Sequence, residues 1–254
     1  MKGVHKMSLT PDQVEQFNNT GFLCSLPVAD EARKDDWRQQ FDVLEGKEGR
    51  RKSQVGLHDR HYDQKFIWDV ATSPAVLDAI ETVIGPDIML LASQFFCKYG
   101  EGENFVAWHQ DVTYWGLEPP FAITAWYAVD DSDHENGCMV VLPGSHLIGI
   151  QEHGKSATEG NLLSINQEVP VTDEEATSAV DLELKAGEMS LHHGMLAHSS
   201  QPNRSSRRRC GLVMRYIPPT VKQVALNSLG SRYRAVLVRG EDREHNFGEI
   251  PAPF

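Results

Sequence analysis

A series of short, β-rich runs separated by turn signals fills the middle of this chain and most restricts its fold. Turn-forming pairs such as Asn136-Gly137, Pro143-Gly144 and Ala186-Gly187 lie between the runs. Short strands at this spacing favour a β sandwich or barrel over a parallel α/β sheet. We therefore predict a mainly β fold with flanking helices. The runs are 88-IMLLASQFFCKY-99, 105-FVAW-108, 121-FAITAWYAV-129, 138-CMVVLP-143, 181-DLEL-184, 188-EMSLHH-193 and 210-CGLVMRYI-217.

Two helices are predicted before this region. Thr10 can cap a helix that has Pro11 at its first position, and the stretch 73–87 repeats this pattern with a proline at position 74. The polar stretch 45–54 is predicted to be a solvated loop, with a lid as the alternative. We expect a single domain over residues 7–254, and residues 1–6 are interpreted as an extension or an expression remnant.

The composition argues against two classes of partner. The 254 residues carry a formal net charge of −12 and are 40% hydrophobic, which argues against binding to nucleic acid or to an anionic membrane surface. No run approaches the eighteen apolar residues of a membrane span. The four cysteines are far apart and form no CxxC pair, so we expect a reducing, cytoplasmic location. The oligomeric state is not readable from the sequence.

Polar residues at three places suggest a metal site. His109 and Asp111 are two positions apart in a β-rich run, so they would project from one face of a strand. Alone, such a pair is more often a hydrogen-bonded surface or core pair. A later histidine, His198, is followed eleven positions on by Arg209. Two histidines and one carboxylate suit non-haem Fe(II), and the arginine fork suits a carboxylate ligand. His192 and His193 are alternative ligands.

Four stretches carry a resemblance to a known family. Over most of its length, from about Leu9 to about Pro218, the chain resembles the phytanoyl-CoA dioxygenase family of Fe(II)/2-oxoglutarate-dependent oxygenases. The resemblance implies a double-stranded β-helix, which is a cupin-like jelly roll with helices on one side. It also implies Fe(II), 2-oxoglutarate as co-substrate, and O2. The stretches are 84-IGPDIMLLASQFF-96, 108-WHQD-111, 136-NGCMVVLPGSH-146 and 198-HSSQPNRSSRRR-209.

The resemblance also assigns roles to individual residues. It implies that the iron ligands are His109, Asp111 and His198, of which His198 alone has serine at +2 and arginine at +11. It implies that Arg209 and Ser200 hold the far carboxylate of 2-oxoglutarate, and that Trp126 and Gln94 line the co-substrate pocket. Alternation from position 207 would place Arg209, Gly211 and Arg215 on one face, whereas Arg207 and Arg208 are expected to be solvated.

The implied reaction is hydroxylation of an unactivated C–H bond with release of succinate and CO2. Related halogenases replace the iron-binding carboxylate with a small residue, so Asp111 favours hydroxylation over halogenation. The alternatives are a non-catalytic jelly-roll binding protein and a cupin-type metalloenzyme that does not use 2-oxoglutarate.

The segments 54–66 and 151–180 are expected to wall the substrate pocket. Cationic residues facing it would favour an anionic substrate, and aromatic residues could pack on an ammonium group. A small zwitterion, such as an amino acid or an aminoalkylphosphonate, would use both. The candidate substrate contacts are Lys98, Arg215, Tyr114, Trp115, His58 and Arg60.

Overall fold

The strands of the protein lie mostly in the second half of the chain. The computed structural model describes residues 8–100, 102–155, 159–163 and 167–254, so the segment 1–6 and parts of the stretch 151–180 lie outside the described residues. The strands are β1 Phe22–Pro27, β2 Ile88–Lys98, β3 Val106–His109, β4 Leu117–Glu118, β5 Ile123–Ala128, β6 Met139–Val141, β7 Gly154–Lys155, β8 Gln167–Glu168, β9 Val180–Leu182, β10 Glu188–His193, β11 His198–Ser200, β12 Arg209–Ile217, β13 Lys222–Gln223 and β14 Val236–Arg239. The α-helices are α1 Pro11–Thr20, α2 Glu31–Glu48, α3 Arg50–Val55, α4 Lys65–Ala71, α5 Pro74–Ile84 and α6 Asp173–Ala176.

Two antiparallel sheets form the body of the protein. The larger sheet has the strand order β1-β10-β5-β12-β2-β14, and the smaller sheet has the order β3-β11-β6-β9. Sequence neighbours are mostly not sheet neighbours, which is the pattern of a jelly roll. This confirms the predicted mainly β fold of the double-stranded β-helix type.

Helices cover the outer face of the larger sheet. Helix α1 begins with a capping box formed by Thr10 and Gln13, as its sequence predicts. Helix α2 buries Trp37, Phe41 and Leu44, whose spacing places them on one helical face. The Phe41 ring packs on Phe95 of β2, with 4.6 Å between ring centroids. The helices therefore fix one face of the larger sheet and leave its other face for a pocket.

The stretch 45–54 is not the solvated loop that we predicted. It forms the end of α2 and the start of α3, which are separated at Gly49, where φ is +84°. Ion pairs from Glu48 to Lys52 and to Arg60 stabilise this helical path, and Ser53 is buried. Part of the mixed charge that suggested a loop is therefore paired in the folded chain, within the helix and with Arg60.

Strand β12 begins at Arg209, so the alternation that we expected from residue 207 begins two residues later. Arg207 lies outside the strand and pairs with the surface carboxylates of Asp133 and Glu135. The expectation that Arg208 is solvated was wrong, because its guanidinium is largely buried and its Nε lies 2.7 Å from Asp130 Oδ2. The Arg208 side chain also pairs with α2, at Asp42 and Glu45.

In the part of the chain that the structure describes, no helix is long and apolar enough to cross a lipid bilayer.

Candidate metal centre

Three potential metal ligands converge between the two sheets. His198 of β11 is the register partner of His109 of β3, and the two rings have centroids 4.0 Å apart. One ligand atom from each of His109, Asp111 and His198 lies within 4.8 Å of the others, and all three side chains are buried. Within the described residues, this is the one group of at least three histidine, cysteine or acidic side chains close enough to hold a metal ion.

The strand that carries His109 ends there, contrary to our prediction. Asp111 is the first residue of a 3-10 turn over Asp111–Tyr114, and Val112 N donates to Gly194 O at 3.1 Å. The turn still directs the carboxylate towards His109, with Asp111 Oδ1 3.8 Å from His109 Nε2. Gln110 turns away, because its Nε2 donates to the carbonyls of Gly149 and Met195. The side chains of His109 and Asp111 therefore reach the same site because a turn follows directly after the strand.

Hydrogen bonds to the backbone select the same tautomer for both histidines. Nδ1 of His109 lies 2.9 Å from Ala107 O, and Nδ1 of His198 lies 2.9 Å from Leu196 O. A carbonyl oxygen can only accept, so each Nδ1 carries the proton. Each Nε2 then has a free lone pair for a metal, and the carbonyl fixes the orientation of the ring.

The protonation states also suit a metal ion. Burial lowers the pKa of both His109 and His198, so that both rings are neutral at pH 7. Burial alone would raise the pKa of Asp111, but Arg215 and the nearby histidines lower it well below its usual value. Thr124 Oγ1 donates to Asp111 Oδ2 at 2.9 Å. Two neutral imidazoles and one ionised carboxylate are the donor set of non-haem Fe(II) sites, so these residues fit that metal.

A cation lies at the other end of the same cavity. Arg209 is buried, its Nε donates to Gly137 O at 3.1 Å, and its guanidinium carbon lies 5.5 Å from the ring centroid of Trp126. Ser200, two residues after His198, lies with its Oγ 3.5 Å from Arg209 Nη2. A Cβ on Gly211 would lie 2.0 Å from the Trp126 ring. The absence of a side chain at Gly211 therefore leaves room for the tryptophan that lines the pocket.

The cavity joins the metal cluster to Arg209 and extends to the surface. Its volume is about 350 Å³, within the range of pockets that bind small molecules. Arg215 lies over the ring of Trp115, 5.0 Å from its centroid, with Nη2 3.8 Å from Asp111 Oδ1. The sequence-predicted residues that line the cavity are His109, Asp111, His198, Arg209, Ser200, Trp126, Gln94, Arg215, Tyr114, Trp115 and His58.

Comparison with known proteins assigns this arrangement to a family. The family model for phytanoyl-CoA dioxygenase (PhyH) matches residues 4–211. The chain belongs to the phytanoyl-CoA dioxygenase family. This match confirms the predicted family and, together with the ligand cluster, the predicted cofactors Fe(II) and 2-oxoglutarate.

Two relatives of known sequence illustrate the match. The chain is 31% identical over 147 residues to the peroxisomal phytanoyl-CoA dioxygenase of Bos taurus, covering 56% of this chain and 43% of that protein. It is 28% identical over 176 residues to the L-proline trans-4-hydroxylase of Streptomyces griseoviridis, covering 63% of this chain and 66% of that protein. The chain thus spans less than half the length of the bovine relative.

Two solved structures share the fold. The apo form of ThoJ, a non-heme monooxygenase, is 29% identical and superposes with a TM-score of 0.76, covering 94% of this chain and 86% of that chain. CytC3 with Fe(II) and alpha-ketoglutarate is 21% identical with a TM-score of 0.71, covering 98% of this chain and 95% of that chain.

Two of the residues that we predicted to contact substrate lie elsewhere in this family member. Arg60 is held outside the cavity by ion pairs with Glu48 and Asp63. Lys98 is buried behind Ser200, where its Nζ donates to Ser200 Oγ at 2.6 Å. Lys98 is in phase with Gln94 along β2, but its long side chain extends to the Arg209 end of the site.

His192, one of the two alternative ligands, does not join the metal cluster. It is fully buried within β10, and its Nε2 lies 3.5 Å from Asp111 Oδ2. Its Nδ1 has no hydrogen-bond partner among the described residues. Because Thr124 and His192 both face Oδ2, the Oδ1 atom of Asp111 is the one directed towards His109. His193 lies outside the cluster, with its ring against those of Phe121 and His146.

The sequence did not predict one part of the cavity wall, the segment 227–233, and it predicted another part, within 151–180, only as a segment. The segment 227–233 contributes Asn227 and Tyr233 among other residues, although the sequence resemblance ends near Pro218. From the insertion 151–180, the described residues that line the cavity are Leu162 and Leu163. The segment 227–233 has no periodic pattern, so its placement depends on tertiary contacts such as the bond from Tyr233 N to Gln223 Oε1.

Asp59 lies in the segment 54–66 that we expected to wall the pocket, but it was not among the predicted substrate contacts. It lines the cavity, and its Oδ1 accepts a hydrogen bond from Ser93 N at 3.0 Å. Its φ of +50° lies in the left-handed region, which is unusual for a residue with a side chain. Burial raises its pKa. Strained, partly desolvated acids of this kind are typical of functional sites.

Proposed function

We propose that this chain is an Fe(II)/2-oxoglutarate-dependent dioxygenase that hydroxylates an unactivated C–H bond of a small molecule, releasing succinate and CO2. One observation carries the proposal: a single cavity is lined by the ligand cluster His109, Asp111 and His198 and by the buried Arg209. A 2-oxo dicarboxylate needs a metal for its oxo acid end and a cation for its far carboxylate. The cavity offers both.

The proposed roles follow from the position of each side chain. His109, Asp111 and His198 would hold Fe(II), which supplies activation of dioxygen for C–H hydroxylation when bound. Arg209 offers its two terminal nitrogens to the far carboxylate, because its Nε is already used by Gly137 O. Trp126 packs against the guanidinium and keeps water from that end of the site.

The distance between the two ends suits a short co-substrate. Ser200 and His198 are two residues apart on β11, so their side chains project from the same face about 7 Å apart. A five-carbon dicarboxylate, with three carbons between its two carboxylate groups, can bridge that interval. This spacing supports 2-oxoglutarate as the molecule that joins the metal to Arg209.

The remaining part of the cavity favours a small zwitterionic substrate. Arg215 presents a cation and Asp59 an anion to the same space, and Leu162 and Leu163 add apolar surface. A cavity of about 350 Å³ that also holds the co-substrate leaves room for a small molecule only. An amino acid or an aminoalkylphosphonate has the matching charges. The similarity to a proline hydroxylase supports this class of substrate.

The surroundings of Tyr114 and Trp115 lead us to propose a different residue as the partner of the substrate's ammonium group. The Trp115 face is already covered by Arg215, so it is not free to pack on a cation. The Tyr114 ring meets His153 edge-on, with 5.5 Å between centroids. We therefore assign the ammonium group to Asp59 and the anionic group of the substrate to Arg215.

A substrate panel tests the proposal. The protein is incubated with Fe(II), ascorbate, 2-oxoglutarate and air, together with single amino acids, aminophosphonates or acyl thioesters, and succinate is measured. We expect succinate and a hydroxylated product in equal amounts with a zwitterion and only background succinate with the acyl thioesters. Succinate formation with the thioesters alone would contradict the substrate class.

The two alternative functions give different results in the same assay. A jelly-roll binding protein would retain a ligand but release no succinate with any compound. A metalloenzyme of the cupin type would convert its substrate when 2-oxoglutarate is omitted. Either result would overturn the proposed reaction.

A further inference from the structure

Two buried basic side chains lie side by side at the far end of the cavity. Lys98 and Arg209 are register partners on β2 and β12, and only 2% and 4% of their surfaces are exposed. Both side chains reach the same acceptor, since Gly137 O lies 3.1 Å from Arg209 Nε and 3.5 Å from Lys98 Nζ. Gly137 has φ +76° in the turn that presents this carbonyl.

Neither side chain has an acidic partner in the described part of the chain. No carboxylate there forms an ion pair with Lys98 or Arg209, although Arg207 and Arg208, which precede Arg209 in the chain, pair with two and three acidic side chains, respectively. Burying a charge without a counter-charge is costly. Burial and Arg209 lower the pKa of Lys98 to about 5. This pair of side chains therefore lacks an anion that a ligand can supply.

Ser200 connects Lys98 to the cavity. Lys98 Nζ donates to Ser200 Oγ at 2.6 Å and also to the carbonyl of Gln201. Because Ser200 Oγ accepts this bond, its own proton is free to be donated towards the cavity that Ser200 lines. Lys98 itself is not among the lining residues, so it acts through Ser200 and through its charge.

We propose that Lys98 is a positioning residue for the far carboxylate of 2-oxoglutarate, orienting the Ser200 hydroxyl and adding a second positive charge behind Arg209. This inference rests on the proposed function. It extends the recognition of the carboxylate beyond the arginine and serine that the family resemblance implies. Three acceptor oxygens, on Ser200, Gln201 and Gly137, surround Nζ and can hold the ammonium form.

Binding of the co-substrate should change the protonation of Lys98. The amine is neutral at pH 7.5 in the free protein, because its pKa is about 5. A bound carboxylate favours the charged form and raises that pKa. Binding of 2-oxoglutarate should therefore be accompanied by net proton uptake at pH 7.5, and the uptake should decrease as the pH falls towards 5.

The test measures ligand binding to the Mn(II)-loaded protein by calorimetry. Lys98→Met should raise the Kd for 2-oxoglutarate about 10-fold to 100-fold, whereas Lys222→Met, at an exposed lysine, should leave it unchanged. The matched ligand is 2-oxopentanoate, which has the same carbon chain without the far carboxylate. Its Kd should be the same for wild type and Lys98→Met, which separates recognition of the carboxylate from a general loss of structure.

Equal Kd values of wild type and Lys98→Met for 2-oxoglutarate would overturn the inference while leaving the proposed function intact. Equal losses for 2-oxoglutarate and 2-oxopentanoate would also overturn it, by showing a structural role. No binding of 2-oxoglutarate to the metal-loaded wild type would instead contradict the proposed function itself.

Two further measurements complete the test. In a Ser200→Ala background, Lys98→Met should have a smaller effect on the Kd than in the wild type, whereas full additivity would rule out action through Ser200. If Lys98→Met does not fold, the proton uptake of the wild-type protein is the deciding measurement. Titrations in buffers with different ionisation enthalpies should show proton uptake at pH 7.5, and its absence would overturn the inference.

Discussion

At the scale of single residues, the candidate metal centre depends on hydrogen bonds that leave one atom of each ligand free. The carbonyls of residues 107 and 196 hold Nδ1 of His109 and His198. Thr124 holds one oxygen of Asp111. The sequence predicted these three side chains, but it did not predict which atom of each would be available.

Asp111→Ala should remove a metal ligand and abolish hydroxylation. We expect at least about a 100-fold loss of Fe(II) affinity, because changes in the surrounding shell alone typically cost 10- to 100-fold. Metal binding can be measured by competition with a chromophoric chelator. The control is Asp36→Ala on the exposed face of α2. Full activity of Asp111→Ala would show that the ligand assignment is wrong.

Asp59→Asn should weaken substrate binding without disturbing the metal. Loss of the charged partner of an ammonium group should raise the KM for the zwitterionic substrate about tenfold or more, with a smaller change in kcat. Asp63→Asn is the matched control, because that carboxylate pairs with Arg60 outside the cavity. An unchanged KM in Asp59→Asn would remove Asp59 from the substrate site.

At the scale of elements, the side chains at alternate positions of strand β12 face the cavity. Arg209, Val213 and Arg215 all line it, and Gly211 leaves space between them for the Trp126 ring. Antiparallel pairing with β2 adds Gln94 opposite Val213 and Lys98 opposite Arg209. The alternation on β12 could be predicted from the sequence, but the register that brings Lys98 beside Arg209 could not.

Gly211→Ala should destabilise the protein and displace Trp126. A Cβ 2.0 Å from that ring forces a shift that typically costs about 1–3 kcal/mol of unfolding free energy. Urea denaturation measures the cost, and the Kd for 2-oxoglutarate should rise with it. Gly46→Ala in α2 meets no atom within 4 Å and should instead stabilise the helix by up to about 1 kcal/mol. Equal stability of the two variants would contradict the packing argument.

The helices show what the sequence could and could not predict. The start of α1 was predicted because Thr10 and Pro11 are local signals, and Ser73 and Pro74 marked α5 in the same way. The run 45–54 was misread because part of its charge, such as that of Glu48, is paired only once the chain is folded. Trp37, Phe41 and Leu44 carried a helical spacing that would have revealed α2 upstream of that run.

At the scale of the whole molecule, the jelly roll places the metal cluster and Arg209 in one cavity. His109, His198 and Ser200 come from the smaller sheet, whereas Arg209 and Trp126 come from the larger sheet. Each set was predictable from motifs. The outer wall was not, because the segment 227–233 reaches the cavity through loop contacts with no sequence pattern.

The central claim is that His109, Asp111, His198 and Arg209 together hold a metal and 2-oxoglutarate. The most direct test is anaerobic addition of Fe(II) and 2-oxoglutarate, observed by visible absorption. We predict a weak charge-transfer band for the wild type, no band for Asp111→Ala, and a band for Arg209→Met that needs a much higher 2-oxoglutarate concentration. A wild-type protein that binds Fe(II) but shows no band at saturating 2-oxoglutarate would contradict the account.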